Sequence, residues 1–92
     1  MNKRELIAKV AGRTGKTKTD VESILETSLE AMVEELVKGR EVRLVGFGVF
    51  EVRERKARKT LDITTKKVVN VPPLNQPVFV PSEQLKKVVR GM

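Results

Sequence analysis

The sequence predicts an α+β protein with the element order ααβββα. Two observations support this prediction. Apolar residues recur at three- and four-residue steps as far as residue 39 and then alternate with polar ones. Charge divides at the same point, because residues 1–39 carry seven Lys and Arg against seven Asp and Glu, whereas residues 40–92 carry twelve against five. A balanced helical half followed by a basic extended half is typical of a scaffold joined to a surface that binds polyanions.

The helical half is predicted from its caps. Asn2 can cap a first helix, whose end is marked by Gly12 and Gly15. The pair Thr17 and Asp20 has the spacing of a capping box at the start of a second helix. Gly39 follows the last turn of that helix, as a C-terminal glycine should. We assign the apolar stripe of this second helix to the core or to a dimer interface: Val21, Leu25, Leu29, Met32 and Leu36.

The extended half is predicted to hold three strands and a final helix. A short strand over residues 42–44 leads into a close turn around Gly46 and Gly48. A second strand and a third strand form a long charged hairpin, and Ser82 caps the closing helix. We expect a helical dimerisation half over 1–39, a sheet over 40–81 with an arm at about 53–71, and a C-terminal helix over 82–92. The core residues predicted in this half are Leu44, Phe47, Phe50 and Phe79.

Composition indicates that the chain needs a partner subunit. With 92 residues and three aromatic side chains, one chain can build only a thin core. The absence of Cys and His excludes disulfides and the usual zinc sites as a remedy. A homodimer, or a heterodimer with a paralogue, is therefore expected. No apolar run is long enough to span a bilayer, and no signal sequence precedes the first helix, so we expect an intracellular protein.

Catalysis is not expected. The sequence has no His, Cys or Tyr, which are the side chains that general acid–base and nucleophilic catalysis commonly use. Phosphate-cradling glycine loops of the common nucleotide-binding types are also absent from it. We predict no metal, no cofactor and no small-molecule substrate.

The basic hairpin is the candidate functional element. Between residues 53 and 67, seven basic residues face two acidic ones. Such a cluster on one element predicts contacts with nucleic-acid phosphates, whereas isolated basic residues usually serve only as solvated surface. No helix offers a pattern of base-reading side chains, so shape is expected to matter more than sequence. The predicted binding residues of the hairpin are Arg53, Arg55, Lys56, Arg58, Lys59, Lys66 and Lys67.

The whole chain resembles the HU/IHF family of bacterial DNA-bending proteins. The resemblance is carried by the opening Met1-Asn2-Lys3, by Leu44-Val45-Gly46-Phe47-Gly48-Val49-Phe50 and by Pro77-Val78-Phe79. It implies an intertwined dimer with a helical base and long β-ribbon arms that embrace the minor groove of double-stranded DNA. It also implies bending and compaction of DNA with little sequence specificity, and a cytoplasmic, nucleoid-associated location. Lys3 and Lys86 match family positions and are added to the predicted DNA-binding residues.

The hairpin tip departs from the family pattern. Where the family has Arg-Asn-Pro-x-Thr-Gly, this chain has Leu61-Asp62-Ile63-Thr64-Thr65-Lys66. Ile63 stands in the place of the intercalating proline, and we predict that it is the wedge. Two other roles stay open for it, packing against Leu61 across the tip or plain exposure on a mobile loop. Without Gly, Pro or Asn between Lys59 and Thr65, the tip turn is expected to be weakly specified.

Three alternatives to a DNA-bending protein remain open at the level of the sequence. A protein that coats or bridges DNA without sharp kinks would also carry basic arms. Basic charge alone would suit an RNA-binding accessory protein, although few aromatic residues are available to stack on single-stranded bases. A purely structural dimerisation module would bind no nucleic acid.

Overall fold

The computed structural model describes residues 1–91 and contains three helices and five strands. Helices come first, strands follow and a short helix ends the chain, so the predicted α+β class is confirmed. Residue 92, which closes the predicted segment 82–92, lies outside the described residues. The chain forms two compact units that divide between Glu34 and Glu35. Within residues 1–91 no helix is both long and apolar enough to cross a membrane.

Helix α1 spans Lys3–Thr14. Its predicted cap is confirmed, because Asn2 Oδ1 accepts a hydrogen bond from the Glu5 amide at 2.9 Å. Gly15 ends the helix with φ 73°, and its amide donates to the Ala11 carbonyl at 3.0 Å. The prediction that Gly12 also marks the end is wrong, since Gly12 lies inside the helix. An interior glycine costs a helix only about 1 kcal/mol relative to Ala, which the surrounding turns can absorb.

Helix α2 spans Lys18–Val37. Thr17 Oγ1 accepts a hydrogen bond from the Asp20 amide at 3.1 Å, as expected of the N-cap. At the other end, the Arg40 amide donates to Glu35 O and the Gly39 amide to Leu36 O, each at 3.0 Å. With Gly39 at φ 76°, these bonds form the Schellman motif that the glycine predicts.

The core of the first unit is small. Its buried side chains are Ile7, Ala11 and Val21, with Val10 and Leu25 packed against them. Further along the predicted stripe, Met32 and Leu36 are only half-buried and Leu29 is exposed. A single chain therefore leaves much of the apolar stripe of α2 uncovered.

The second unit contains two antiparallel sheets. Strands β1 (Val42–Leu44) and β2 (Gly48–Arg55) are joined by a tight turn. Strands β3 (Arg58–Leu61) and β4 (Val68–Val71) pair only with each other. Strand β5 (Leu74–Pro81) returns beside β2, so the larger sheet has the order β1-β2-β5.

The prediction of three strands is wrong in its count because the long hairpin is interrupted. Pairing of β2 with β5 stops at Arg55 and Leu74, and pairing of β3 with β4 begins at Arg58 and Val71. The returning strand carries Pro72-Pro73 in this gap, and proline has no amide to donate to a ladder. The hairpin is thus one ribbon built from two paired segments.

Three phenylalanines pack at the base of the ribbon. Phe50 lies opposite Phe79 in the ladder, and their ring centroids are 4.7 Å apart. The centroid of Phe47 lies 5.4 Å from that of Phe79. A Cβ atom at Gly48 would lie 2.6 Å from the Phe79 ring, which explains the glycine. In the single chain, Phe47, Phe79 and Leu44 nevertheless stay partly exposed.

The turn before Gly48 accounts for the second glycine. The Phe47 amide donates to the Leu44 carbonyl at 2.9 Å, and Gly46 has φ 81°. A side chain at that φ would be strained. After β5, Ser82 Oγ accepts from the Leu85 amide at 3.1 Å and caps α3, as predicted. Helix α3 spans Glu83–Val89, which is shorter than the predicted 82–92 because Gly91, at φ 78°, follows its last turn.

Candidate nucleic-acid interface

The candidate interface is the ribbon formed by β2 and β5 at its base and by β3 and β4 at its end. The antiparallel register fixes which side chains share a face. Arg53 and Arg55 are two residues apart in the regular strand β2 and lie on the same face, opposite Gln76 and Leu74. On the other face of β2 lie Phe50 and the rest of the phenylalanine cluster. The base of the ribbon therefore has one packed face and one charged face.

Both arginines of the charged face already have polar partners. Arg53 Nε lies 2.6 Å from Glu51 Oε1, and the Arg55 guanidinium donates to Gln76 Oε1. The Arg53–Glu51 pair is exposed enough that it contributes little to stability. These contacts hold the guanidinium groups along the strand. A phosphate would have to compete with Glu51 for Arg53, but only with a neutral amide for Arg55.

The interruption of the ribbon separates Arg55 from Arg58. Because the two arginines are three positions apart, they can share a face only if the strand is twisted or bulged between them. The structure has unpaired Lys56 and Ala57 there, and β3 starts at Arg58. All four residues of β3 are exposed. Arg58 faces Val71 across the ladder and Lys59 faces Asn70, so successive cations project to opposite faces of the outer ribbon.

The tip is a six-residue turn organised by Asp62. Its amide donates to Lys67 O at 2.8 Å, and its carbonyl accepts from the Lys66 amide at 2.6 Å. Its carboxylate accepts from the Thr64 amide at 2.9 Å and from the Thr65 amide at 3.4 Å. The expectation of a weakly specified turn is wrong. Asp forms such turns with its own side chain, and that signal was present in the sequence.

Lys66, which stands where the family pattern has glycine, takes a left-handed backbone conformation. It has φ 58°, the one non-glycine residue of the described chain with a positive φ. Left-handed backbone costs an ordinary L-residue roughly 1 kcal/mol. Lys66 therefore adopts this conformation at a cost that a glycine would not incur.

Apolar side chains cover the end of the ribbon. Ile63 is 89% exposed at the tip, and Leu61 and Val68 face each other just behind it at 60% and 66%. Such exposure leaves Ile63 little surface to pack against Leu61, so that alternative is wrong. The tip of the ribbon therefore carries the exposed apolar side chain of Ile63, and Lys66 and Lys67 follow it in the same turn.

The two predicted flanking lysines each meet a carboxylate. Lys3 Nζ lies 2.9 Å from Glu26 Oε1, and this hydrogen bond raises the pKa of Lys3, with the charges of Glu26 and Glu22 adding to the effect. Lys86 Nζ lies 3.4 Å from Glu83 Oε1. Lys3 belongs to the first unit, whereas Lys86 belongs to the same unit as the ribbon. Across residues 1–91, no three His, Cys, Asp or Glu side chains are grouped as metal ligands would be.

Comparison with known proteins places the chain in a family. The family model described as bacterial DNA-binding protein matches residues 1–90. DNA-binding protein HU from Thermotoga maritima is 46% identical over 90 residues, which cover 98% of this chain and 100% of that protein. DNA-binding protein HU from Clostridium pasteurianum is 45% identical over 86 residues, 94% of each chain.

A solved structure has nearly the same fold. HU from Anabaena, determined in a cocrystal with DNA, matches with a TM-score of 0.94 at 36% sequence identity, and the match covers 100% of both chains. Helices, ribbon and closing helix are all included in that match. Sequence and fold thus agree over the full length, and the chain belongs to the HU family of bacterial DNA-binding proteins.

Proposed function

We propose that the protein is a histone-like architectural protein that binds double-stranded DNA through its ribbon. The observation that carries the proposal is the ribbon itself, which projects exposed cations along its length and the apolar Ile63 at its end. Family membership and the match to a chain crystallised with DNA support it. The protein bends and compacts DNA with little sequence preference, and it acts in the cytoplasm as part of the nucleoid.

Affinity comes from phosphates. The ribbon has seven basic residues against Glu54 and Asp62, and a dimer would present two ribbons. If half of the basic residues on the two ribbons together contact phosphates, the slope of log affinity against log salt concentration is about −6. Arginine suits narrow minor grooves of high negative potential. Arg53, Arg55 and Arg58 therefore lie along the minor groove and make no sequence-specific contacts with the edges of the bases.

Bending comes from the tip. An apolar side chain that enters a base step unstacks it at a cost of a few kcal/mol, which the wider contact with bent DNA offsets. Ile63 is exposed and β-branched, so its χ1 is restricted even without a neighbour. It takes the wedge position at the end of each ribbon. Lys66 and Lys67 then reach the phosphates beside the opened step.

The acting unit is a dimer. Among residues 1–91, one chain buries three hydrophobic side chains, all in the first unit and none of them completely. Along α2, Ile24, Leu29, Val33 and Val37 are left between 45% and 79% exposed. A monomer of this size with so little buried surface would be marginal. A second copy that covers the stripe completes the core and makes residues 1–39 the dimerisation half.

Binding is tested by competition and by salt. A labelled duplex is titrated with the protein at several salt concentrations, and unlabelled duplex, single-stranded DNA and duplex RNA are added as competitors. The proposal predicts a salt slope near −6 and preferential displacement by duplex DNA. Displacement by RNA at lower concentration would instead support the RNA-binding alternative. Absence of binding at low salt would leave only a structural dimerisation module.

A further inference from the structure

We propose that Asp62 is a positioning residue that holds Ile63 in place as the wedge of the ribbon. The inference rests on the proposed function, since it concerns how the wedge is presented to DNA. No side chain packs around Ile63 to orient it, because 89% of its surface is exposed. Its orientation must therefore come from the backbone on either side.

That backbone is held at both sides of Ile63 by one residue. Before it, the Asp62 amide and carbonyl bond to Lys67 and Lys66, which closes the turn. After it, the amides of Thr64 and Thr65 donate to Asp62 Oδ1 at 2.9 and 3.4 Å. Ile63 is thus the second residue beyond the ladder, which ends at Leu61 and Val68, and both of its neighbours are restrained. With the carboxylate removed, the segment 63–65 would lose its side-chain anchor while the main-chain bonds of the turn remain.

The carboxylate acts here as an acceptor and not as an ion-pair partner. Although Lys66 and Lys67 are close in sequence, the five ion pairs found among residues 1–91 do not include Asp62. Its two contacts are with neutral amides. An amide side chain could make the same two bonds through its own oxygen.

The negative charge of Asp62 opposes the proposed binding partner. Asp62 is the one acidic residue between Ala57 and Val71, in the part of the ribbon that would lie nearest the phosphates. Its charge should weaken binding even as its oxygen organises the turn. The two properties are separable by substitution, because Asn keeps the acceptor and removes the charge, whereas Ala removes both.

The test compares Asp62→Asn with Asp62→Ala, and Thr64→Ala serves as a neighbouring control that leaves every backbone amide in place. The bend of a short duplex is measured by end-to-end fluorescence transfer at saturating protein, and the dissociation constant is measured in parallel. Asp62→Asn should bend DNA as the native protein does and bind about threefold tighter, the size expected for an exposed charge. Asp62→Ala should bind at least as tightly as the native protein but bend DNA as little as Ile63→Ala.

A second readout follows the tip without DNA. Nitrogen relaxation order parameters of residues 63–65 should fall in Asp62→Ala and stay unchanged in Asp62→Asn and Thr64→Ala. If Asp62→Ala bends DNA like the native protein, this inference is overturned while the proposed function stands. Loss of bending in Asp62→Asn as well would show that the charge matters and not the acceptor, which also overturns it. A native protein that binds without bending would overturn both.

Discussion

The two ends of the ribbon are held by different physical means. At its base, the ring centroid of Phe79 lies 5.4 Å from that of Phe47 and 4.7 Å from that of Phe50. The Phe79 ring comes so close to Gly48 that no larger residue fits there without a shift. At its tip no side chain is buried, and the turn is maintained by hydrogen bonds to Asp62. Packing sets where the ribbon starts, whereas local polar contacts set its shape at the end. This division leaves the apolar tip side chains free for a ligand.

The sharpest change at the base is Gly48→Ala. The added Cβ would lie 2.6 Å from both the Phe79 ring and the Val80 carbonyl oxygen, so strand β5 would have to move. We expect the free energy of unfolding to fall by about 3 kcal/mol, the upper range for overpacking. Urea denaturation measures it. Gly12→Ala is the matched control, since a Cβ added there would have no atom within 4 Å apart from the backbone of its own helix, and it should stabilise α1 by about 0.5–1 kcal/mol.

The charged face of the ribbon should affect binding and not folding. Substitution of Arg55 by Gln should remove one of the proposed phosphate contacts per ribbon, and we expect the salt slope to become shallower by about 1.8 in a dimer with two ribbons. The melting temperature should stay the same within error, because surface changes usually alter stability by no more than about 0.5 kcal/mol. Arg43→Gln, on strand β1 outside the ribbon, is the control. Equal losses of slope in both variants would contradict the assignment of the ribbon as the interface.

Comparing Lys66→Gly with Lys67→Gly separates the effect of backbone strain at the tip from the effect of its positive charge. Glycine removes the strain at φ 58°, which should stabilise the turn locally by about 1 kcal/mol. It also removes one cation, so binding should weaken slightly. Lys67→Gly loses the same charge at a position without a positive φ and should loosen the tip. Amide hydrogen exchange at residues 62–67 distinguishes the two, and slower exchange in Lys67→Gly would contradict the account.

The smallest expected effect concerns Lys3 and Glu26. The hydrogen bond to Glu26 raises the pKa of Lys3 above its ordinary 10.5. The stabilising effect of this contact is therefore fully present below the ordinary pKa of 10.5 and is lost as pH rises through the higher pKa of Lys3 in the folded protein. Thermal melts between pH 9 and pH 12 should show a slight extra loss of stability in the native protein that is missing in Glu26→Gln. Identical pH profiles of the two proteins would show that this contact does not contribute to stability.

Sequence reasoning predicted the helix caps and the turn at the base of the ribbon better than the tip of the ribbon. Caps at Asn2, Thr17 and Ser82 and the glycine turn at Gly46 are local signals, and the structure has each of them. The prediction at Gly12 is wrong because a glycine alone does not end a helix when the next turns continue it. The break in the ribbon depends on pairing across it, which no single segment reveals.

The tip was mispredicted for a different reason. Its turn residue, Asp62, carries the signal, whereas a rule restricted to Gly, Pro and Asn does not include it. The exposure of the α2 stripe could not be read from periodicity either, since a repeat shows which residues share a face and not what covers that face. Leu29 and Met32 are examples, because the second chain that we propose would cover them.

Whether Ile63 bends DNA is decided by a fluorescence measurement of the end-to-end distance of a short duplex. The native protein, Ile63→Ala and the nearby apolar control Leu61→Ala are compared at saturation. We expect the native protein and Leu61→Ala to shorten the distance, whereas Ile63→Ala should bind with similar affinity and leave the duplex nearly straight. If the native protein binds and leaves the duplex straight, it coats or bridges DNA, and the bending mechanism is wrong.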